Sequence, residues 1–186
     1  IRKVTMSTGI ISLVAGVTTT AGFSGDGGPA TLAALNNPRG IAVDAAGNIY
    51  FSDPGPAFGS TYAHIRVING TTGIINSIAG AMSVGLSGDG GPAIGATFRN
   101  PRGVAVDAAG NVFVADMGNH RIRRIDGTTG LISTYAGTSM GYSGDGAAAI
   151  AAQLNAPSGV NLDPAGNIIV ADAGNQHVRM VNGGGI

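Results

Sequence analysis

Three aspartates stand in the same short loop sequence, and their recurrence is the first sign of chemistry in this chain. Asp26, Asp89 and Asp145 each lie in a Ser-Gly-Asp-Gly loop, and they are 63 and 56 residues apart. The flanking glycines let the backbone approach a ligand closely, so each loop is a candidate cation or anion site. One carboxylate per loop is far below the roughly six to eight oxygen ligands that calcium prefers. A structural role in the turn is therefore the stronger hypothesis.

A pair of arginines offers a second kind of chemistry. Arg39 and Arg102 each follow an Asn-Pro pair and precede a glycine, whereas the third copy of this sequence has Ser158. Two guanidinium groups at one rim could bind carboxylate or phosphate groups. The alternative is that each arginine pairs with a nearby aspartate or caps loop carbonyls. Three further arginines on predicted strands are expected to be solvated or paired, namely Arg66, Arg123 and Arg179.

The sequence contains no set of residues whose types and spacing predict a catalytic centre. His64, His120 and His177 do not follow a metal-ligand spacing, and the chain has no cysteine. Most other aspartates recur in every copy, whereas an active site normally uses different residues in different repeats. We therefore predict no catalytic residue and no cofactor, and we expect these carboxylates to form hydrogen bonds in turns and between blades. The recurring aspartates are Asp44, Asp107 and Asp163, and Asp53, Asp116 and Asp172.

Short strands are expected to position these residues. A long sequence motif occurs three times in the chain, which indicates a repeated structural unit. The motif begins at Ser24, Ser87 and Ser143 and ends about thirty residues later at a strand that closes with Asp. Within each copy, apolar runs alternate with Gly-Asn or Gly-Thr turns, a pattern typical of four antiparallel strands. Four such strands in tandem predict a propeller blade. The Ala-rich segment of each copy predicts a short helix before the first strand.

Composition excludes two classes of partner. The 186 residues are 44% hydrophobic and 11% charged, and the formal net charge is zero. Nucleic-acid binding normally needs a basic face, and membrane insertion needs a long apolar run, so we expect neither. The abundance of Gly, Ala, Ser and Thr favours an extracellular or cell-surface protein.

The motifs resemble the NHL-repeat β-propeller family. The stretch from Asn100 to Asp126 contains Gly-Asn-His-Arg-Ile, and the whole chain resembles the long repeat of secreted bacterial NHL proteins and teneurin-like adhesion proteins. The resemblance implies an all-β fold with blades of four antiparallel strands. Three repeats would form half of a six-bladed propeller or a segment of a longer or open array. Members of the family act mainly as binding platforms, although some are lyases or lactonases with a channel metal.

We predict one module over residues 1–186, with repeats at approximately 1–64, 65–121 and 122–177, and a further repeat starting at 178–186. The first residues match the third and fourth strands of a blade, and the last residues match the first three. Unpaired edges of this kind normally find a partner. The expected partner is a second copy, in a ring or a head-to-tail filament, or further repeats of a longer chain. The predicted assembly edges are Ile10, Ile11, Leu13, Val14, Val178, Met180 and Val181.

The functional hypothesis is a non-catalytic extracellular scaffold, adhesion or assembly module that presents a propeller surface to proteins or glycans. Asn69 begins the sequence Asn-Gly-Thr and is a candidate glycosylation site in a turn. The alternative is a propeller enzyme of the lyase or lactonase type with a channel metal, completed by dimerisation or by a longer chain.

Overall fold

The computed structural model describes residues 1–17, 21–56 and 61–182, and these form four antiparallel sheets in chain order. The last part of the predicted further repeat, residues 183–186, lies outside the described residues. The first sheet is a pair of strands, β1 (Arg2–Thr5) and β2 (Ile10–Leu13). We refer to it as the N-terminal pair.

Two complete blades follow, which confirms the prediction of four-stranded units. The first blade contains β3 (Ile41–Val43), β4 (Ile49–Asp53), β5 (His64–Ile68) and β6 (Ile75–Ala79), paired in that order. The second blade contains β7 (Pro101–Val106), β8 (Val112–Asp116), β9 (Arg121–Ile125) and β10 (Ile132–Ala136). The last sheet, which we call the third sheet because it belongs to the third repeat, consists of β11 (Gly159–Leu162), β12 (Ile168–Asp172) and β13 (His177–Val181).

The hairpins that join the first two strands of each sheet close as their sequence predicts. Gly110 has a φ of +80°, a backbone angle that glycine adopts without a Cβ penalty. Asp107 sits at the start of this turn, and its carboxylate accepts a hydrogen bond from the backbone N–H of Asn111 at 2.8 Å. The same bond forms between Asp44 and Asn48, and between Asp163 and Asn167. These three carboxylates therefore lock hairpin turns.

The predicted short helices were wrong in extent, because each is a single 3₁₀ turn. In the second copy the turn covers Ala93–Gly95, and Ala96 already has an extended backbone. The carbonyls of Ala93 and Ala96 accept hydrogen bonds from the N–H groups of Gly80 and Ala81, at the end of the preceding blade. The Ala93 carbonyl also accepts the N–H of Ala96 within the turn, whereas the Ala96 carbonyl is bound by the strand end and the helix does not continue. The other two turns are Ala30–Leu32 and Ala149–Ala151.

The core lies between successive sheets. Phe98, Ile65 and Val114 are fully buried between the first and second blades, and Leu154, Ile122 and Val170 between the second blade and the third sheet. The innermost strands β3, β7 and β11 lie side by side and line one cleft of about 240 Å³. Over the described ranges, no helix has the length and apolar character of a membrane span.

Candidate functional site

A buried arginine at the centre of each blade collects two of the repeated aspartates. In the second blade, Arg123 is 0% exposed. Its guanidinium lies 2.7 Å from Asp89 and 3.5 Å from Asp116, and one nitrogen also donates to the carbonyl of Ser87 at 3.1 Å. The aspartate of the Gly-rich loop and the aspartate that ends the second strand therefore meet at one cation.

The same cluster of one arginine and two aspartates recurs in the first blade and in the third sheet. Arg66 lies 2.6 Å from Asp26 and 3.6 Å from Asp53 in the first blade. In the third sheet, Arg179 contacts Asp145 and Asp172 at 2.5 and 3.6 Å. These third-strand arginines are therefore paired, and the alternative expectation that they are solvated is wrong.

The corresponding arginine of the N-terminal pair does not lie in such a cluster. Arg2 occupies the repeat position of the buried arginines, since Ile1 to Val4 match the third strand. It is exposed, and among the described residues it forms no ion pair.

In the first two clusters, the loop aspartate and the aspartate that ends the second strand differ in their pKa values. Burial raises the pKa of Asp53 and of Asp116 to about 6, against the hydrogen bonds that each accepts. Burial also acts to raise the pKa of Asp89, but hydrogen bonds from Thr134 and Arg123 outweigh it and leave the pKa below its ordinary value. The loop carboxylate is thus ionised at neutral pH and anchors its loop to the blade.

All ten aspartates lie in the described part of the chain, and each accepts at least one hydrogen bond from a nearby group. Six belong to the three arginine clusters, three lock hairpin turns, and Asp126 pairs with Arg124 at 2.9 Å. The described residues contain no group of three or more His, Cys, Asp or Glu side chains placed to hold a metal ion. The loop aspartates Asp26, Asp89 and Asp145 lie against arginine, which occupies the position that a cation would take.

The histidines lie in three different environments. His64 is 3% exposed and stacks on Phe23 with ring centroids 3.8 Å apart, and neither of its ring nitrogens has a hydrogen-bond partner within the described part of the chain. His120 has a φ of +56°, and its Nδ1 accepts a hydrogen bond from the N–H of Ala156 at 3.0 Å. His120 therefore ties the second blade to the loop that leads into the third sheet. His177 is exposed and stacks on Tyr142 at 4.6 Å.

Arg39 and Arg102 differ from the buried arginines. Both are half-buried, and among the described residues neither side chain forms an ion pair or donates a hydrogen bond. The expected pairing with a repeat aspartate is therefore not observed. Both residues lie where an innermost strand begins, since the N–H of Arg39 donates to the carbonyl of Ser52 at the end of β4.

Charge is separated along the blades even though the chain is neutral overall. Four arginines lie at the end where the innermost strands begin, which we call the arginine end: Arg39, Arg99, Arg102 and Arg121. The aspartates near this end are fully buried. At the opposite end lie the hairpin turns with Asp44, Asp107 and Asp163. Sequence reasoning missed this separation, because net charge does not show it.

The predicted assembly edges divide into two groups. Ile10, Ile11 and Leu13 are exposed on β2, while Val14 is half-buried against the core. On β13, Val178 and Met180 are exposed, whereas Val181 is 2% exposed and belongs to the core. Exposed Ile41 and Val43 of β3 line a cleft of about 530 Å³ together with Ile1 and Val14.

Tandem four-stranded antiparallel sheets, packed face to face around adjoining innermost strands, define part of a β-propeller. The sequence profile of the teneurin NHL domain matches residues 2–87, and that of the NHL repeat matches residues 98–125 and 154–179. The chain belongs to the NHL-repeat β-propeller family.

The relatives are much longer than this chain. Teneurin-1 of Mus musculus is 26% identical over 233 residues, a match that covers 85% of this chain and 8% of the teneurin. A protein of unknown function from Bacteroides thetaiotaomicron has a similar fold, with a TM-score of 0.70 and 22% identity over 96% of this chain and 41% of that chain. A gluconolactonase from Xanthomonas campestris has a TM-score of 0.54 and 15% identity, covering 89% and 48% of the two chains.

Proposed function

We propose that this chain is a non-catalytic propeller module that presents its surfaces for protein or glycan contacts. The observation that carries the proposal is the use of the carboxylates. All ten accept bonds that hold turns, loops or buried arginines, and most of these bonds recur from repeat to repeat. A catalytic constellation would instead place different residues in different blades.

An extracellular or cell-surface location is part of the same proposal. Its support is the match to the teneurin NHL domain and the resemblance to teneurin-like adhesion proteins. Asn69 is exposed at the turn between β5 and β6. Its side-chain oxygen accepts hydrogen bonds from the N–H groups of Thr71 and Thr72, so the oxygen holds the turn and the exposed side chain is suited to carry a glycan on its amide nitrogen.

Self-association, or contact with further repeats, is the proposed mode of assembly. The N-terminal pair and the third sheet both expose apolar side chains, among them Ile11 and Val178. However, β1 and β13 both correspond to the third strand of a blade. If the third sheet of one copy joined the N-terminal pair of another, the joined sheet would contain the five strands β11, β12, β13, β1 and β2. A four-stranded blade would form only if β1 or β13 were displaced.

The experiment that tests the non-catalytic role compares metal content with activity. The purified chain is analysed for bound metals and is assayed for hydrolysis of gluconolactone with and without a chelator. We expect substoichiometric metal and no turnover that the chelator abolishes. A tightly bound stoichiometric ion together with chelator-sensitive turnover would overturn the proposal in favour of a channel-metal enzyme.

Light scattering tests the assembly. We expect the intact chain to form a multimer and a variant lacking residues 1–16 to be monomeric, because β1 and β2 supply the exposed strands. A monomeric intact chain, or a multimer that survives the deletion, would rule out assembly through these strands.

A further inference from the structure

Arg39 and Arg102 carry positive charges that no described residue neutralises. The Nε atom of each is buried and has no hydrogen-bond partner among the described residues, and the same is true of the Nε atoms of Arg66 and Arg123. The difference lies in the terminal guanidinium nitrogens, which in Arg66 and Arg123 donate to aspartates and to loop carbonyls. Those of Arg39 and Arg102 form no ion pair with the described residues. Leaving a partly buried charged donor unpaired is costly, so the free donors of Arg39 and Arg102 are suited to an anionic acceptor.

Backbone packing brings these two positions together. A Cβ on Gly40 would clash with the carbonyl oxygen of Arg102, so the two backbones are in direct contact. The hydroxyl of Ser52 secures this junction, because it donates to the same carbonyl at 2.6 Å and accepts from the N–H of Gly40 at 3.1 Å. The side chains of Arg39 and Arg102 therefore start from adjoining strands at the arginine end.

No aspartate near the arginine end is available to neutralise the pair. Asp53 and Asp116 are fully buried and lie against Arg66 and Arg123. The three aspartates that form no ion pair lock the hairpin turns at the opposite end of the blades. An acceptor for this pair of arginines must therefore come from outside the described residues.

We propose that Arg39 and Arg102 form an oxyanion-binding site for a carboxylate or phosphate group, at the end of the blades where the innermost strands begin. Guanidinium groups present forked donors that match the geometry of both anions. The third repeat has Ser158 at this position, so the site is confined to the first two repeats. This asymmetry separates it from the arginine clusters, which recur in every copy. This site does not depend on the proposed non-catalytic role, which we call the platform role, since the chain could bind an anion with or without catalysing a reaction.

Serine substitutions test the site, because the fold already accepts serine at this repeat position. Arg39→Ser, Arg102→Ser and the unchanged chain are titrated calorimetrically with citrate and, separately, with inorganic phosphate at constant ionic strength. We expect saturable binding to the unchanged chain and about a tenfold loss of affinity in each variant, equivalent to losing one charge-assisted contact. The preferred probe identifies the anion as carboxylate or phosphate.

Two further variants separate a specific site from a general electrostatic effect. Arg99→Ser removes an exposed charge at the same end and should change affinity less than about twofold. Ser158→Arg adds the missing arginine and should maintain or strengthen binding. An equal loss in Arg99→Ser, or no saturable binding of either probe by correctly folded chain, would overturn the oxyanion site. Metal-dependent turnover would overturn only the platform role.

Discussion

Replacing Arg123 by methionine should destabilise the second blade far more than replacing its neighbour Arg124. Methionine is of similar length but carries no charge, so Asp116 would remain 0% exposed without its cation. Removing one partner of a buried ion pair costs about 3–5 kcal/mol. Asp116 keeps hydrogen bonds from the N–H of Arg99 and the amide of Asn119, both at 2.8 Å. We therefore expect a value near the lower limit, about 3 kcal/mol.

The control lies on the same strand. Arg124 pairs with Asp126 at 2.9 Å, but both side chains are about one third exposed (31% and 29%). Arg124 also donates to the side-chain oxygen of Asn111 at 2.8 Å. Because solvent screens exposed pairs, Arg124→Met should lower the free energy of unfolding much less than Arg123→Met does.

Urea unfolding followed by circular dichroism measures both variants. A loss of about 3 kcal/mol corresponds to a melting temperature lower by about 6–12 °C for a chain of this size. The effect of Arg123→Met should persist at high salt, because buried pairs are screened much less than exposed ones. If Arg123→Met costs no more than Arg124→Met, the buried cluster does not stabilise the blade.

Three further changes test the turns, the loops and the pH dependence. Gly110→Val should cost about 1–3 kcal/mol in thermal melts, because a φ of +80° strains a β-branched residue. Asp89→Asn should cost about 1 kcal/mol in urea unfolding, because the carboxylate is half-exposed, and a chelator should leave the melting temperature unchanged. Burial lowers the pKa of His64 below its ordinary value of 6.5, so below that pH the unfolded chain binds more protons than the folded chain. Urea unfolding should therefore show a His64 contribution that lowers the free energy of unfolding as pH falls through 6.5. Burial raises the pKa of Asp53 and of Asp116 from 3.8 to about 6, so the folded chain binds more protons than the unfolded chain between these two pH values. These two groups should therefore increase the free energy of unfolding as pH falls through that range.

Each of these changes has its own control. A Cβ added at Gly95 would meet no heavy atom within 4 Å, and its φ is not in the left-handed region, so Gly95→Val should cost less than Gly110→Val. His64→Leu removes the histidine contribution while leaving the two aspartates, so the difference between its pH profile and that of the unchanged chain isolates His64. Identical profiles would contradict the burial argument. Unfolding of the chain by a chelator would place a cation in the Gly-rich loops after all.

Local sequence determined the blades and their hairpins. The Ala-Gly-Asn turn around Gly110 closes because its glycine and the preceding Asp107 act within five residues of each other. Strand register and the repeat of four strands follow from the same short-range alternation of apolar and turn residues. The helices were overestimated because alanine propensity is local, while the carbonyls of Ala93 and Ala96 are bound by the end of another strand.

The tertiary structure alone decided which charges are free. Arg123 and Asp89 are 34 residues apart in sequence, and only the return of the loop onto the blade places them 2.7 Å from each other. The sequence gives no reason to expect that Arg123 pairs with an aspartate while Arg102 does not. Packing determines the difference, because every aspartate is bound in a turn or a cluster in the folded chain, and among the described residues Arg39 and Arg102 form no ion pair.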